Sequence, residues 1–319
     1  MDVLADVLAT TGVGGVLLAQ LHSRGSGWGC GLEQSGTAGF HVVAEGTCWL
    51  RTGDQPPRQL VPGDVVLLPR GEPHQLLGSP NDIAVPYAEL EAAYPPGRSG
   101  VVDLGGEGPT VRIVCGKFEY RGDPRTHPIL SALPAVVHLP AMGADTELRS
   151  VVQLLVAETR GSRPGARTIA ARLTDVLFVQ VIRAWIASST QEDHAPSWLL
   201  ALGDDRIGAA LSLMHDEPRN PWTVDQLARA VAMSRPAFAR RFKELAGVPP
   251  LAYLSTLRLD LAAAMLRDSD RPISEIAESV GYTSEFAFSR AFSRAHGLAP
   301  GRYRRTSAAR VRPEHALAR

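Results

Sequence analysis

Residues 234–253 read SRPAFARRFKELAGVPPLAY, and residues 284–303 read SEFAFSRAFSRAHGLAPGRY. At an offset of fifty positions the two share the pattern Ser-x3-Phe-x-Arg-x-Phe-x4-Gly-x2-Pro-x2-Tyr. Ser234, Phe238, Arg240, Phe242, Gly247, Pro250 and Tyr253 return as Ser284, Phe288, Arg290, Phe292, Gly297, Pro300 and Tyr303. Seven identities at one offset mean one small structural unit used twice. In each copy the Ser caps a helix, the Phe pair at i, i+4 points at a core, and the Gly ends the helix.

A short amphipathic segment precedes each copy. Thr223-Val-Asp-Gln226 fits a capping box, and Leu227, Ala228 and Val231 follow on one face. In the second copy Pro272 suits a helix start, and Ile273, Ile276, Ala277 and Val280 recur at helical spacing. Ala232-Met233 and Gly281-Tyr282-Thr283 form the turns. Helix, short turn, helix is the helix-turn-helix pattern.

Opposite the Phe pairs stand Arg235, Arg240 and Arg241 in the first copy and Arg290 and Arg294 in the second. A guanidinium donates two bonds to guanine O6 and N7, or holds a phosphate. A lone basic helix is usually a solvated face; two in one register point to double-stranded DNA. Leu251 to Arg267 lacks Gly and Pro and reads as one helix of about 17 residues, about 25 Å long. Such a rod holds two reading helices for successive major grooves and a non-palindromic site.

Residues about 204–305 resemble the DNA-binding domain of the AraC/XylS family of bacterial transcription regulators. The stretches that carry the resemblance are TVDQLARAVAMSRPAFARRFKELAGVPPLAYL and PISEIAESVGYTSEFAFSRAFSRAHGLAPGRYRR. The resemblance implies base-reading positions at Arg235, Pro236, Ala239 and Arg240, and at Glu285, Phe286, Ser289 and Arg290. Pro236, Ala239 and Phe286 offer a base edge no polar group, so methyl contacts or DNA shape supply the rest. It also implies RNA polymerase as a partner.

The formal net charge of the 319-residue chain is zero, which hides an asymmetry. Residues 204–319 hold 18 Lys+Arg against 13 Asp+Glu, and residues 1–203 hold 15 against 20. The basic half carries the repeat, as phosphate binding requires. No apolar run approaches the ~18 residues of a membrane span, and the acidic start MDVLADVLATTG lacks a secretory n-region. Three Cys do not make a disulfide framework. A cytoplasmic location is expected.

Residues 13–120 carry short β-type runs (Val16–Leu21, Phe40–Val43, Thr47–Arg51, Val65–Leu68, Val111–Val114) punctuated by turn residues, the pattern of a sandwich or barrel. Gly63-Asp-Val-Val-Leu-Leu-Pro69-Arg-Gly71-Glu-Pro-His74 resembles the second signature of the cupin superfamily, Gly-x5-Pro-x-Gly-x2-His. The first signature is degraded: Val43 stands where a second His belongs, and Glu45 is off its spacing. That counts against a cupin-type metalloenzyme, a dioxygenase or isomerase coupled to DNA binding. His41 and His74 point into the cup, with Cys115 at the end of another β run and His22 at the end of the first. Three imidazoles and a thiolate form a closed tetrahedral set suited to zinc; oxidation of the thiolate would release it. The structural alternatives are a buried Cys, an exposed strand-end His22, and an apolar cup for a small-molecule effector.

Thr146–Thr159 and Ala166–Ser188 read as helices, the second apolar beyond one stripe. It packs on the barrel or makes a homodimer contact. Ser188–Pro196 is the expected hinge. The expected fold is α+β multidomain: a cupin-like β-barrel sensor (1–125), a helical linker and dimerisation region (126–203), an all-α domain of two helix-turn-helix units (204–307), and a flexible basic tail (308–319). The expected function is a DNA-binding regulator whose cup senses a small effector, metal or oxidant. A packaging protein without a sensor is the third reading; single base changes would not affect its binding.

Overall fold

The computed structural model describes residues 2–96, 100–120, 127–160, 163–188 and 195–310. Two compact units emerge: residues 12–190, and residues 1–11 together with 191–319. The division falls away from the expected boundaries at 125 and 203. The first helix, α1 (Val3–Thr11), joins the C-terminal unit, and the helices assigned to a linker belong with the sheets.

The unit of residues 12–190 is built on two sheets. The larger takes β1 (Gly14–Arg24), β3 (Ala38–Glu45), β6 (Val65–Leu68), β9 (Val101–Gly106), β10 (Thr110–Glu119) and β11 (Val137–Leu139) in the order β11-β6-β3-β10-β1-β9. The smaller takes β2 (Gly29–Leu32), β4 (Cys48–Thr52), β5 (Arg58–Leu60), β7 (His74–Leu77) and β8 (Val85–Pro86) in the order β5-β4-β7-β2-β8. The expected barrel is not closed: no ladder joins the two sheets among the described residues. Three of the four edge strands, β5, β8 and β11, have two or three residues, and Pro86 lacks a ladder donor, so these edges end pairing instead of passing it on.

Alternation along the strands sorts their side chains. Leu21, Val43, Leu50, Leu68, Leu76 and Ile113 share one apolar core. On the opposite face of β3 and β10, Phe40 stacks 5.1 Å from Phe118, which meets Phe178 at 4.6 Å. Phe178 belongs to α4 (Ala166–Ser188), which pairs with α3 (Thr146–Arg160); a shorter helix, α2 (Tyr87–Ala93), follows β8. The broad apolar surface of α4 is thus largely spent on the sheet and on α3. A side chain at Gly15 would collide with Thr174 of α4, and the Gly15 amide donates to Asp175 at 2.6 Å.

The other unit is all helix: α1, α5 (Trp198–Ala201), α6 (Asp205–Asp216), α7 (Val224–Ala230), α8 (Arg235–Ala246), α9 (Pro250–Asp268), α10 (Ile273–Ser279), α11 (Glu285–His296) and α12 (Pro300–Arg310). It has two small cores joined by α9. Leu254 and Leu257 enter the first with Phe238 and Phe242, and Leu259, Ala262 and Leu266 enter the second with Phe288 and Phe292. At 19 residues α9 spans about 28 Å. Of the expected hinge, Ser188 ends α4 and residues 189–194 lie outside the described residues; of the expected tail, residues 308–310 continue α12 and 311–319 lie outside them.

The pairs α7–α8 and α10–α11 share their local chemistry. Thr223 and Gln226 form the capping box. Ser234 and Ser284 accept from Ala237 and Ala287, and Gly247 and Gly297 close their helices at φ 77 and 71. Both turns carry the Schellman bond: the Met233 amide donates to Ala228 and the Tyr282 amide to Ala277, each at 2.9 Å. The left-handed residue is Gly281 in one turn and Ala232, at φ 54, in the other.

Candidate nucleic-acid interface and cup cluster

Helices α8 and α11 each bury one stripe and expose another. Phe238, Phe242, Phe288 and Phe292 are fully buried. On the opposite faces Arg235, Pro236, Arg240, Glu285, Phe286, Arg290 and Arg294 are exposed, and Ala239 and Ser289 are half-buried. Arg240 lies 3.8 Å from Glu244, an exposed i, i+4 pair that contributes at most about 1 kcal/mol. The Arg290 guanidinium sits over the Phe286 ring at 5.7 Å. These side chains are solvated and free to meet an anionic duplex.

Arg241 is different. Its Nε and one terminal nitrogen donate to Asp204 at 3.1 Å each, and Asp204 also caps α6 by accepting from Arg206 and Ile207. That carboxylate is held below its usual range against the opposing effect of burial, by the Ile207 amide first and then by Arg241. The Arg expected to face DNA thus fastens α8 to α6. The sequence signal for it was Asp204 ahead of Arg206-Ile207, the cap of a helix that the repeat does not include.

A second unforeseen contact ties α1 to this unit. His215 is buried, its Nδ1 2.8 Å from Asp6 of α1 and its Nε2 2.8 Å from the Tyr253 hydroxyl. Burial lowers the His215 pKa against the pull of Asp6. The neutral ring donates from Nδ1 to the carboxylate and accepts the Tyr253 proton at Nε2. Val3 completes the core beside Phe242, and Arg267 donates to both Thr10 and Tyr303.

In the cup, three of the four residues expected to bind metal come together. His74 begins β7, His41 lies in β3, and Cys115 in β10 pairs with His41 across the ladder. His41 Nε2 is 2.7 Å from His74 Nε2, and His41 Nδ1 is 3.1 Å from Cys115 Sγ. The Glu72 carbonyl accepts from His74 Nδ1 at 2.8 Å; with both rings neutral, His74 Nε2 then accepts from His41 Nε2, and His41 Nδ1 accepts from the thiol. Burial lowers both imidazole pKa values, with His74 adding to the effect on His41. Burial also pushes the Cys115 thiol well up, with Cys30 and Cys48 nearby. All three groups are neutral at pH 7.

His22 stands apart. It pairs with Arg112, three residues along β10 from Cys115, and follows the core residue Leu21, so alternation turns it to the opposite face. There burial and then Arg112 lower its pKa, against Asp103 and Glu45. The expected His3Cys set is therefore not assembled. The remaining three form a line, with one His41 nitrogen for each neighbour, and among the described residues no group of three His, Cys, Asp or Glu is arranged to hold a metal.

Relatives share this plan. Residues 2–187 match the family described as Cupin, and residues 227–306 match the family described as Helix-turn-helix domain. The chain is 34% identical to a putative AraC-like transcription regulator of Streptomyces antibioticus, over 96% of this chain and 99% of that one. It is 32% identical to the HTH-type transcriptional regulator AlkR of Acinetobacter baylyi, over 84% of this chain and 87% of the other. It is also 32% identical to the RCS-specific HTH-type transcriptional activator RclR of Escherichia coli, over 83% of each. The chain belongs to the AraC-like transcription regulators, with an N-terminal cupin domain and a C-terminal DNA-binding helix-turn-helix domain.

Proposed function

We propose that this regulator reads one non-palindromic DNA site with two helix-turn-helix units, α7–α8 and α10–α11, and that the His74–His41–Cys115 line in the cup is its sensor. The shared cap, turn and αL closure of the two pairs carries the first part, because it sets Arg240 and Arg290 in one register on two exposed faces. Helix α9 supplies the rigid spacing. Arg240→Ala and Arg290→Ala should each lose about 1–3 kcal/mol of base discrimination. Titration against single-base variants of a selected site measures it; unchanged preference in both would refute the reading.

The sensor reading rests on the Cys115 proton. It terminates a fully neutral line of hydrogen bonds, and oxidation or metal capture each removes that same proton. Zinc would draw on His41, His74 and Cys115 only after His41 turns. Loss of effector response in Cys115→Ser and His74→Ala, with site-specific DNA binding kept, is the expected result. A regulator without enzyme activity fits the cup: Val43 is buried in the core, and Glu45 is paired with Arg112 at 3.0 Å. Exposed Leu154, Ile169 and Val176 on α3 and α4 favour a homodimer, which sedimentation of the full chain tests. Binding of RNA polymerase by the DNA-bound chain completes the proposal.

A further inference from the structure

Seven of the eight phenylalanines are at most 1% exposed; the eighth, Phe286, is 71% exposed. It occupies the second position of α11, off the stripe of Phe288 and Phe292. Water around a bare ring is unfavourable, and among the described residues it belongs to no apolar cluster of this unit. The Arg290 guanidinium, one helical turn on, lies over the ring face at 5.7 Å. The first unit lacks this pairing. Its counterparts are Pro236 and Arg240, and Arg240 leans the other way, toward Glu244. The counterpart of Glu244 is Arg294, so α11 offers Arg290 no carboxylate at i, i+4.

A Phe ring can recognise only one feature of a major-groove edge. Thymine carries a 5-methyl group there, the one aliphatic group among the donors, acceptors and ring C–H of that edge. A guanidinium held beside the ring reaches a base about one 3.4 Å step away, and its paired donors match guanine O6 and N7. We propose that Phe286 and Arg290 read a thymine and a neighbouring guanine as one unit, the ring packing on the thymine methyl and Arg290 bonding the guanine. This deepens, and rests on, the reading of α11 as a helix in the major groove. 5-Methylcytosine, which bears the same methyl, would replace thymine; cytosine and uracil would not. The paired readout belongs to the half-site of α11, because α8 has no aromatic ring beside its Arg240.

The test selects a site from a random duplex pool with the full-length chain, then replaces each thymine in turn by deoxyuridine. One thymine next to a guanine should respond, with binding about three- to fivefold weaker on loss of its methyl. Cytosine at that position should be weak, and 5-methylcytosine should restore binding. Phe286→Ala should bind thymine and uracil sites equally, and Phe286→Leu should keep part of the preference; the position is exposed, so neither threatens the fold. Indifference of the wild-type chain to uracil at every position, or a preference undiminished in Phe286→Ala, overturns the proposal. Arg290→Ala, run beside these, separates the levels. If it loses guanine discrimination while uracil is silent, α11 reads the groove and the Phe286 proposal alone fails. If it too is silent, α11 is not in the groove and both fail.

Discussion

His41 Nε2 and His74 Nε2 lie 2.7 Å apart inside the cup, a separation that one shared proton accounts for. Two lone pairs would repel at that distance. A tetrahedral zinc with bonds near ~2.0 Å would hold two nitrogens about 3.3 Å apart. The Glu72 carbonyl, which can only accept, sets the sense of the line for neutral rings. His74→Ala therefore leaves the buried His41 N–H unpaired, at about 1–3 kcal/mol. Chemical denaturation of the cup should show this loss, while specific DNA binding persists. Metal analysis of the wild-type, His74→Ala and Cys115→Ser chains, purified under reducing conditions, checks the zinc state: a full equivalent lost in both variants would require a turned His41.

Arg241 and Arg240 are neighbours in different surroundings: Arg241 is bonded to Asp204, and Arg240 stands exposed beside Glu244. Arg241→Ala removes both bonds to Asp204 and should lower the stability of the C-terminal unit by about 1–2 kcal/mol, with the pattern of base preference unchanged. Arg240→Ala should do the reverse. Thermal melting and site titration of the two variants side by side resolve the assignment.

The turns of the two helix pairs make another comparison. A Cβ at Gly281 would meet the Arg219 carbonyl at 2.9 Å and the Arg258 guanidinium at 3.0 Å, at φ 87. Gly281→Ala should destabilise by about 1–3 kcal/mol. Ala232 already bears a left-handed φ of 54 with its Cβ in place, so Ala232→Gly should be neutral or stabilising by up to about 1 kcal/mol. Denaturant midpoints of both variants give the sign.

Asp6 accounts for the docking of α1. Asp6→Ala strips the buried His215 of its acceptor and should destabilise the C-terminal unit by about 1–3 kcal/mol. Asp6→Asn, which keeps an acceptor, should lose less. Hydrogen exchange in α6 and α9 reports the difference.

Acid should loosen the unit of residues 12–190 through His127. This ring is buried, accepts from the Leu130 amide, and burial brings its pKa from 6.5 to about 4. The unfolded chain takes the proton first as pH falls, so the stability it confers is complete above pH 6.5 and is lost progressively toward pH 4, by roughly 3 kcal/mol. His22, His41 and His74 shift in the same direction. His127→Phe should flatten the pH dependence by its own share, read from urea midpoints at pH 7 and pH 5.

What the sequence determined by itself was local. Ser234, Gly247, Ser284 and Gly297 cap their helices because capping involves groups within three or four residues of each other. The Phe pairs are buried because helical period alone puts i and i+4 on one face. Val65–Leu68 and Ala166–Ser188 have the bounds that their apolar runs expected. Tertiary structure decided what depends on distant partners. Alternation and ladder register turned His22 away from Cys115, and short edge strands left the sheets open. A carboxylate 209 residues from His215 ties α1 to α6, and Asp204 holds Arg241. No periodicity encodes such pairings, because a buried donor needs an acceptor in space and the chain can supply it from any distance in sequence.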